Sequence, residues 1–312
     1  MKNKLAPYLL LAPQILLAIL FVAGLTAGIT QSFGVIPAFG LTEPTLRYYR
    51  EIFLRPDLME SVLFSLKTAG LSALLATAGG VFFCGLCVMG GKTRGLSMRV
   101  IELPIIVPHA VTALFLISLL SKNGIAARIL YSFGWIENQQ QFPALIYDQN
   151  GAGIILGYLW KELPFMIYFV ISLMANINRS LGEAAVNLGA APWTAFFKIT
   201  LPLCRNTILS GFLIIFVFAL GAYELPMLLG ATKPRALPVL AYQQYLHPDL
   251  RNRPYAMALN GIIIVISLLS AALYYALMNG QMRSLKLSGE KRRTSGGRGR
   301  SEKKGEGGGA DG

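Results

Sequence analysis

Charge is scarce in this sequence. Only 14% of its 312 residues are Asp, Glu, Lys or Arg, and the mean hydropathy is +0.55, too apolar for a soluble domain of this length. Histidine occurs twice, at His109 and His247, and cysteine three times. Cys84 and Cys87 form a C-x-x-C, but they lie within an apolar run and lack a second ligand pair or nearby histidines. That excludes a zinc or redox site and a disulfide framework, and both residues read as packing. No nucleophilic triad, catalytic carboxylate pair or metal-ligating cluster is present, so the sequence implies no enzyme, cofactor or metal. Gly91-Lys92-Thr93 imitates the end of a phosphate-binding loop, but Leu86 stands where that loop requires glycine. Any nucleotide chemistry must come from another chain.

In place of charge there are long apolar runs. Charge-free stretches cover residues 5–42, 68–91, 103–121, 163–178, 206–223 and 254–282, most of them long enough for the roughly 20 residues of a membrane-crossing helix. The alternation of barrel strands is absent, and backbone groups in lipid must be satisfied internally. The expectation is an all-α polytopic membrane protein with six helices near 8–30, 63–89, 101–120, 156–176, 207–229 and 256–278. The first apolar core is too long for a cleaved signal peptide. Lys2 and Lys4 before it, with Lys92, Arg94, Arg99, Arg179, Lys198 and Arg205 in alternate loops, place both termini in the cytoplasm. One membrane domain, 1–285, is followed by a basic, Gly-rich tail, 286–312, with too few apolar residues to fold. The net charge of +13 is accounted for by cytoplasmic anchors and a tail near anionic membrane lipid, without a specific nucleic acid.

Between the fourth and fifth runs lies a polar-faced segment, 180–202. Ser180 and Glu183 have capping-box spacing, which predicts a helix start. Leu181, Ala184, Ala185 and Leu188 share one stripe, and Glu183 and Asn187 another face. Gly189 suits a helix stop and Pro192 the first turn of a second helix, to which Trp193, Phe196, Phe197 and Leu201 give an apolar side. The whole is an elbow between spans. Glu183, Ala184, Ala185, Gly189, Ile199, Leu201 and Pro202 match, without gap or substitution, E-A-A, three residues, Gly, nine residues, Ile, one residue, Leu-Pro. This resembles the EAA motif of permease subunits in binding-protein-dependent ABC importers. The resemblance implies a type I ABC importer permease fold in a bacterial plasma membrane and a second permease subunit, identical or related. It also implies a cytoplasmic ABC ATPase dimer coupled through the elbow, and a periplasmic or lipid-anchored solute-binding protein on the other side.

Ionisable residues within spans are costly and face cavities or partners. Glu224 falls about three-quarters along the fifth expected span, beside Tyr223 and the helix-loosening Pro226, and reads as a path residue or as one end of a buried salt bridge. Lys161-Glu162, in the outer part of the fourth, reads as an interfacial anchor or as part of the path. Pro104 and Pro108 bend the third span next to His109, whose alternatives are a role in the kink or in proton or substrate handling. Gly24/Gly28 and Gly153/Gly157 allow close helix approach. The segment G-A-Y-E-L-P-M-L-L-G and the loop after it look most like spermidine/putrescine permeases, which implies a polyamine. Iron(III), thiamine, sulfate and phosphonate permeases are related. The rival class is an ion-coupled secondary transporter, for which inverted repeats are lacking.

Overall fold

The computed structural model describes the backbone of residues 6–93 and 95–302, and the side chains of residues 10–93, 95 and 98–278. Among the described residues the chain is helical, with a lone antiparallel bridge between Ile36 and Leu41. Helix α1 spans Ala6–Ser32, α2 Arg47–Phe53, α3 Pro56–Met89, α4 Leu96–Ile106, α5 His109–Leu120 and α6 Ile125–Ser132. Then follow α7 Ala152–Ile177, α8 Glu183–Asn187, α9 Pro192–Ala195, α10 Leu201–Gly221, α11 Glu224–Leu229, α12 Leu237–Tyr245 and α13 Arg253–Glu302. Six segments are long and apolar enough to cross a membrane: Leu10–Ser32, Pro56–Met89, His109–Ser132, Ala152–Asn187, Pro192–Gly221 and Leu250–Met278. The expected number of spans holds. Lys2, Lys4 and Arg94 lie outside the described residues.

The centre of the bundle is α3, α7 and α10 packed against one another. Its closeness has a cause in the sequence. Ser61, Ser65, Thr68, Ser72, Ala76, Gly80 and Cys84 recur every three or four residues on α3 and are all buried, so the backbone of α7 can approach. Met166 of α7 sits where the three helices meet. A Cβ added at Gly80 would lie 2.8 Å from Met166 Cβ, and one at Gly211 of α10 would lie 2.6 Å from its Sδ. Cys84 packs here too, its thiol donating to the Ile167 carbonyl at 3.4 Å. Gly157 faces Leu225 and Leu229 of α11. Gly91 has φ +67, and Lys92 N–H donates to Cys87 O at 2.8 Å. Gly91-Lys92-Thr93 therefore closes α3 with a left-handed glycine cap.

Two expected helices are broken. The third span was expected to run unbroken over 101–120, but α4 ends at Ile106 and α5 starts at His109, with Val107 extended at ψ 128°. Pro108 has no N–H and drives the residue before it out of the helical region. The fifth was expected over 207–229, but α10 stops at Gly221 and Ala222 is extended at ψ 135°. Pro226 is the cause. Its ring would strike the carbonyl four residues back, that of Ala222. Glu224 is consequently the first residue of α11, not a position within a continuous span.

The chain divides into two compact units at Ser267. The second unit, Leu268–Gly312, carries the rest of α13. The expected tail falls here. Its backbone is helical to Glu302, and its side chains and residues 303–312 lie outside the described residues.

Candidate functional site

The elbow and the two helix breaks each gather polar groups. At the elbow, α7 does not end where a capping box would start a new helix. It continues through a π-turn, Asn178–Gly182, into α8. Ser180 is therefore no cap, and its hydroxyl donates back to the Asn176 carbonyl at 3.0 Å. Gly189 is the stop, with φ +94. Its N–H donates to Val186 O at 2.9 Å, and Ala190 N–H to Ala185 O at 3.0 Å, the paired bonds of a Schellman cap. Pro192 then opens α9. A second π-turn, Phe196–Thr200, leads into α10. The two π-turns face each other, Thr200 Oγ1 lying 3.3 Å from Asn178 Oδ1. Such insertions re-aim side chains and recur at functional sites.

The expected apolar side of the second elbow helix divides. Phe196 is buried, its ring against Gly85 of α3, whereas Trp193 and Phe197 are exposed and stacked, centroids 6.0 Å apart. Leu201 is half-buried. Trp193 and Phe197, four residues apart, share one face, whereas Phe196 projects about 100° away from Phe197, towards α3. Leu181 and Leu188 also point outward, Leu188 at 89% exposure. Glu183 and Ala184 are exposed, Ala185 and Ile199 half-buried and Pro202 exposed. The elbow thus presents leucine and aromatic surface around a carboxylate.

The second assembly is built by α7. Tyr158, fully buried, donates its hydroxyl hydrogen to Ala219 O at 3.3 Å, a carbonyl near the end of α10. One turn on, the ammonium of Lys161 donates to Pro104 O at 2.8 Å, Ile105 O at 3.2 Å and Val107 O. These are the carbonyls left at the end of α4, where a cation also opposes the negative end of the helix. Lys161 is thus a buried cap and not an interfacial anchor. Side chains one turn apart on one helix take up the free ends of both breaks.

Across these breaks His109 meets Glu224, Nδ1 to Oε2 3.8 Å. The imidazole stacks against Phe218, centroids 5.5 Å apart, and its Nε2 is buried without a partner. Tyr223 packs on Tyr242 of α12, centroids 4.4 Å apart. The Glu224 side chain remains 57% exposed. Glu162 is buried, and no hydrogen bond joins it to Tyr223 or Glu224 among the described residues. The structure sets His109 against Glu224, stacks the adjacent Tyr223 on Tyr242, and buries Glu162 on α7 without a hydrogen bond or ion pair to them among the described residues. The sequence reading reached all of these residues. It did not foresee that Lys161 and Tyr158 organise them, because their partners are backbone carbonyls that have no sequence signature.

Residues 72–284 match the model of a family described as the binding-protein-dependent transport system inner membrane component. The putrescine transport system permease protein PotI of Escherichia coli K12 is 27% identical over 198 residues, 63% of this chain; the match spans 65% of PotI's length. The probable sulfate transport system permease protein cysT of Marchantia polymorpha is 27% identical, over 74% of this chain and 79% of its own. The molybdenum transport system permease protein ModB of Escherichia coli K12 is 29% identical, over 53% and 68%. In structure the chain resembles one from a bacterial ABC transporter involved in the import of the acidic polysaccharide alginate. The TM-score is 0.70 and the identity 18%, over 88% of this chain and 96% of that one. At that identity the likeness is one of fold.

Proposed function

This chain belongs to the family of binding-protein-dependent transport system inner membrane components, and from that premise we propose that it is the transmembrane subunit of an ATP-driven solute importer. The elbow is the observation that carries the reading. Its exposed Leu188, Trp193 and Phe197 around Glu183 form a surface for a cytoplasmic ABC ATPase dimer. A second permease subunit completes the path, and a solute-binding protein delivers from the far side. The protein sits in a bacterial plasma membrane with both termini in the cytoplasm. Helix α1 fits this assembly, since its apolar window has none of its residues buried within the chain.

The polar junction lines the path, with Glu224 and Tyr223 at its surface and Glu162 behind. A cationic solute, a polyamine by analogy with PotI, suits it best. The ammonium of Lys161 is engaged by three carbonyls, whereas the Glu224 carboxylate is open. Coupling follows from a bistable bundle in which closure of the ATPases draws the elbows together and biases the path outward.

Gly189 supplies the test. A Cβ there meets no atom within 4 Å, but φ is +94, so substitution acts through the backbone alone. Left-handed conformations cost most L-residues about 1–2 kcal/mol, asparagine less. Gly189→Val is expected to abolish ATP-dependent uptake and weaken ATPase recruitment while the chain still inserts, and Gly189→Asn to retain most of both. Normal uptake and recruitment by Gly189→Val would remove the coupling role. Uptake that persists without any ATPase would point to a secondary transporter.

A further inference from the structure

A groove of about 440 Å³ opens between the first two turns of α3, the third and fourth turns of α13, and α2. Both helices enter the membrane from the side of α2, so residue numbers rise with depth on each. Phe53 and Arg55 stand at its mouth, Met59 and Ile262 along it, and Val62 and Val265 at its inner end. Gly261 makes room in its wall, because a Cβ there would lie 2.5 Å from the Tyr49 hydroxyl. Below Arg55 the lining is apolar. Arg55 itself is half-buried, its guanidinium 5.2 Å from the centroid of the Tyr255 ring, with no ion pair among the described residues. Glu51, which feels the Arg55 charge, is itself engaged, accepting from Arg47 at 2.6 Å and from the Tyr255 hydroxyl. A cation without a direct ion-pair partner among the described residues is therefore held at the top of an apolar slot. Helix α2 beside it exposes Phe53 and, at its ends, Leu46 and Leu54, together with Arg47 and Arg50. That combination of apolar and basic side chains suits a segment lying in the plane of the membrane interface.

We propose that this groove is a glycerophospholipid site, with the lipid phosphate on Arg55 and one acyl chain lying between α3 and α13. Three observations select a lipid as the occupant. The slot is continuous with the exposed apolar surface of two candidate spans, it runs between them along their length, and its single charged lining residue lies near their N-terminal ends with the sign that complements a phosphate. Arginine suits this task because its planar donors pair with phosphate oxygens and also stack on an aromatic face. A bound lipid would tie α2 to α3 and α13 at the mouth of the spans.

The test uses the full chain in nanodiscs of phosphatidylglycerol carrying a trace of the same lipid with a photoactivatable group on one acyl chain. Crosslinked peptides are mapped by mass spectrometry. Residues 56–66 and 258–267 are expected to be labelled at least five-fold above the exposed face of α10 around Leu203 and Ile214. Arg55→Gln should reduce that excess to the α10 level, and Arg55→Lys should keep most of it. Val265→Trp, at a position already exposed, fills the slot and should remove the excess with Arg55 intact, which covers the case in which Arg55→Gln fails to fold. Equal labelling of groove and α10 in the native chain would reduce the occupant to ordinary surrounding lipid and overturn the site. An excess unchanged by both Arg55→Gln and Val265→Trp would do the same, as would absence of label on 258–267, which would mean that a protein segment fills the slot.

Discussion

Two prolines and one lysine account for most of what is unusual at the centre of this protein. Pro108 and Pro226 each remove a donor and exclude a carbonyl four residues earlier, which leaves backbone acceptors stranded at the level of the spans. Lys161 takes up those of α4. Lys161→Met keeps the aliphatic stem and abandons three acceptors. Buried unsatisfied groups cost about 1–3 kcal/mol each, and bonds to a charged donor contribute more than neutral ones. The expected outcome is a loss of about 3 kcal/mol or more, read as a lower thermal midpoint of the purified chain, with Lys161→Arg largely restoring it. Tyr158→Phe removes one neutral bond and should cost about 1 kcal/mol. Glu224 is a different case, because its side chain is 57% exposed and, among the described residues, its one ion-pair contact is with His109 at 3.8 Å. Glu224→Gln is expected to lower uptake of a cationic solute at least ten-fold per assembled complex, with ATPase binding intact. Unchanged uptake per complex would take Glu224 out of the path.

Among the elements, α2 is short; Ile52 anchors it in the core, and a small polar tie joins it to α13. The Glu51 carboxylate accepts from Tyr255 and from Arg47, and these hydrogen bonds, Tyr255 first, hold it below the ordinary carboxylate range. A carboxyl whose folded value is depressed stabilises fully above its unfolded value, about 4.3. That contribution is lost as pH falls through the lower folded value. Spin labels on Leu54 and Asn260 should show a narrow separation at pH 6 that broadens below about pH 4. In Glu51→Gln the separation should already be broad at pH 6 and change little with acid. A native distribution insensitive to acid would mean that the tie does not set the position of α2.

At the scale of the molecule, six spans and an elbow fix which loops share a side. Cysteines introduced near Asn138 and Pro248 should react with an impermeant reagent applied from outside, and one at Ala190 should not. External labelling of Ala190 would put the elbow on the wrong face and end its coupling role. The same arrangement limits where transport can be controlled. The elbow lies at one end of α7 and α10, and Lys161 and Glu224 lie towards the other ends of the same stretches of chain. The close crossing at Gly80, Met166 and Gly211 lies between the elbow and the breaks.

The membrane class, the span count and the elbow with its glycine stop were legible in the linear sequence, because each rests on local properties. Apolar length decides whether a helix crosses a bilayer, and a left-handed cap needs glycine at one position. Even the prolines announced bending. The tertiary structure decided the rest. That Pro108 and Pro226 break their helices outright depends on α7 offering Lys161 and Tyr158 to the stranded carbonyls, a pairing across more than fifty residues. That Ser180 is not a cap depends on α7 continuing through a π-turn held by Thr200. The meeting of Glu224 with His109 likewise exists only once both breaks are brought side by side. Local rules specify which residues can start, stop or bend a helix, but a buried polar group is satisfied by whatever packing places next to it, and that is a property of the assembled bundle.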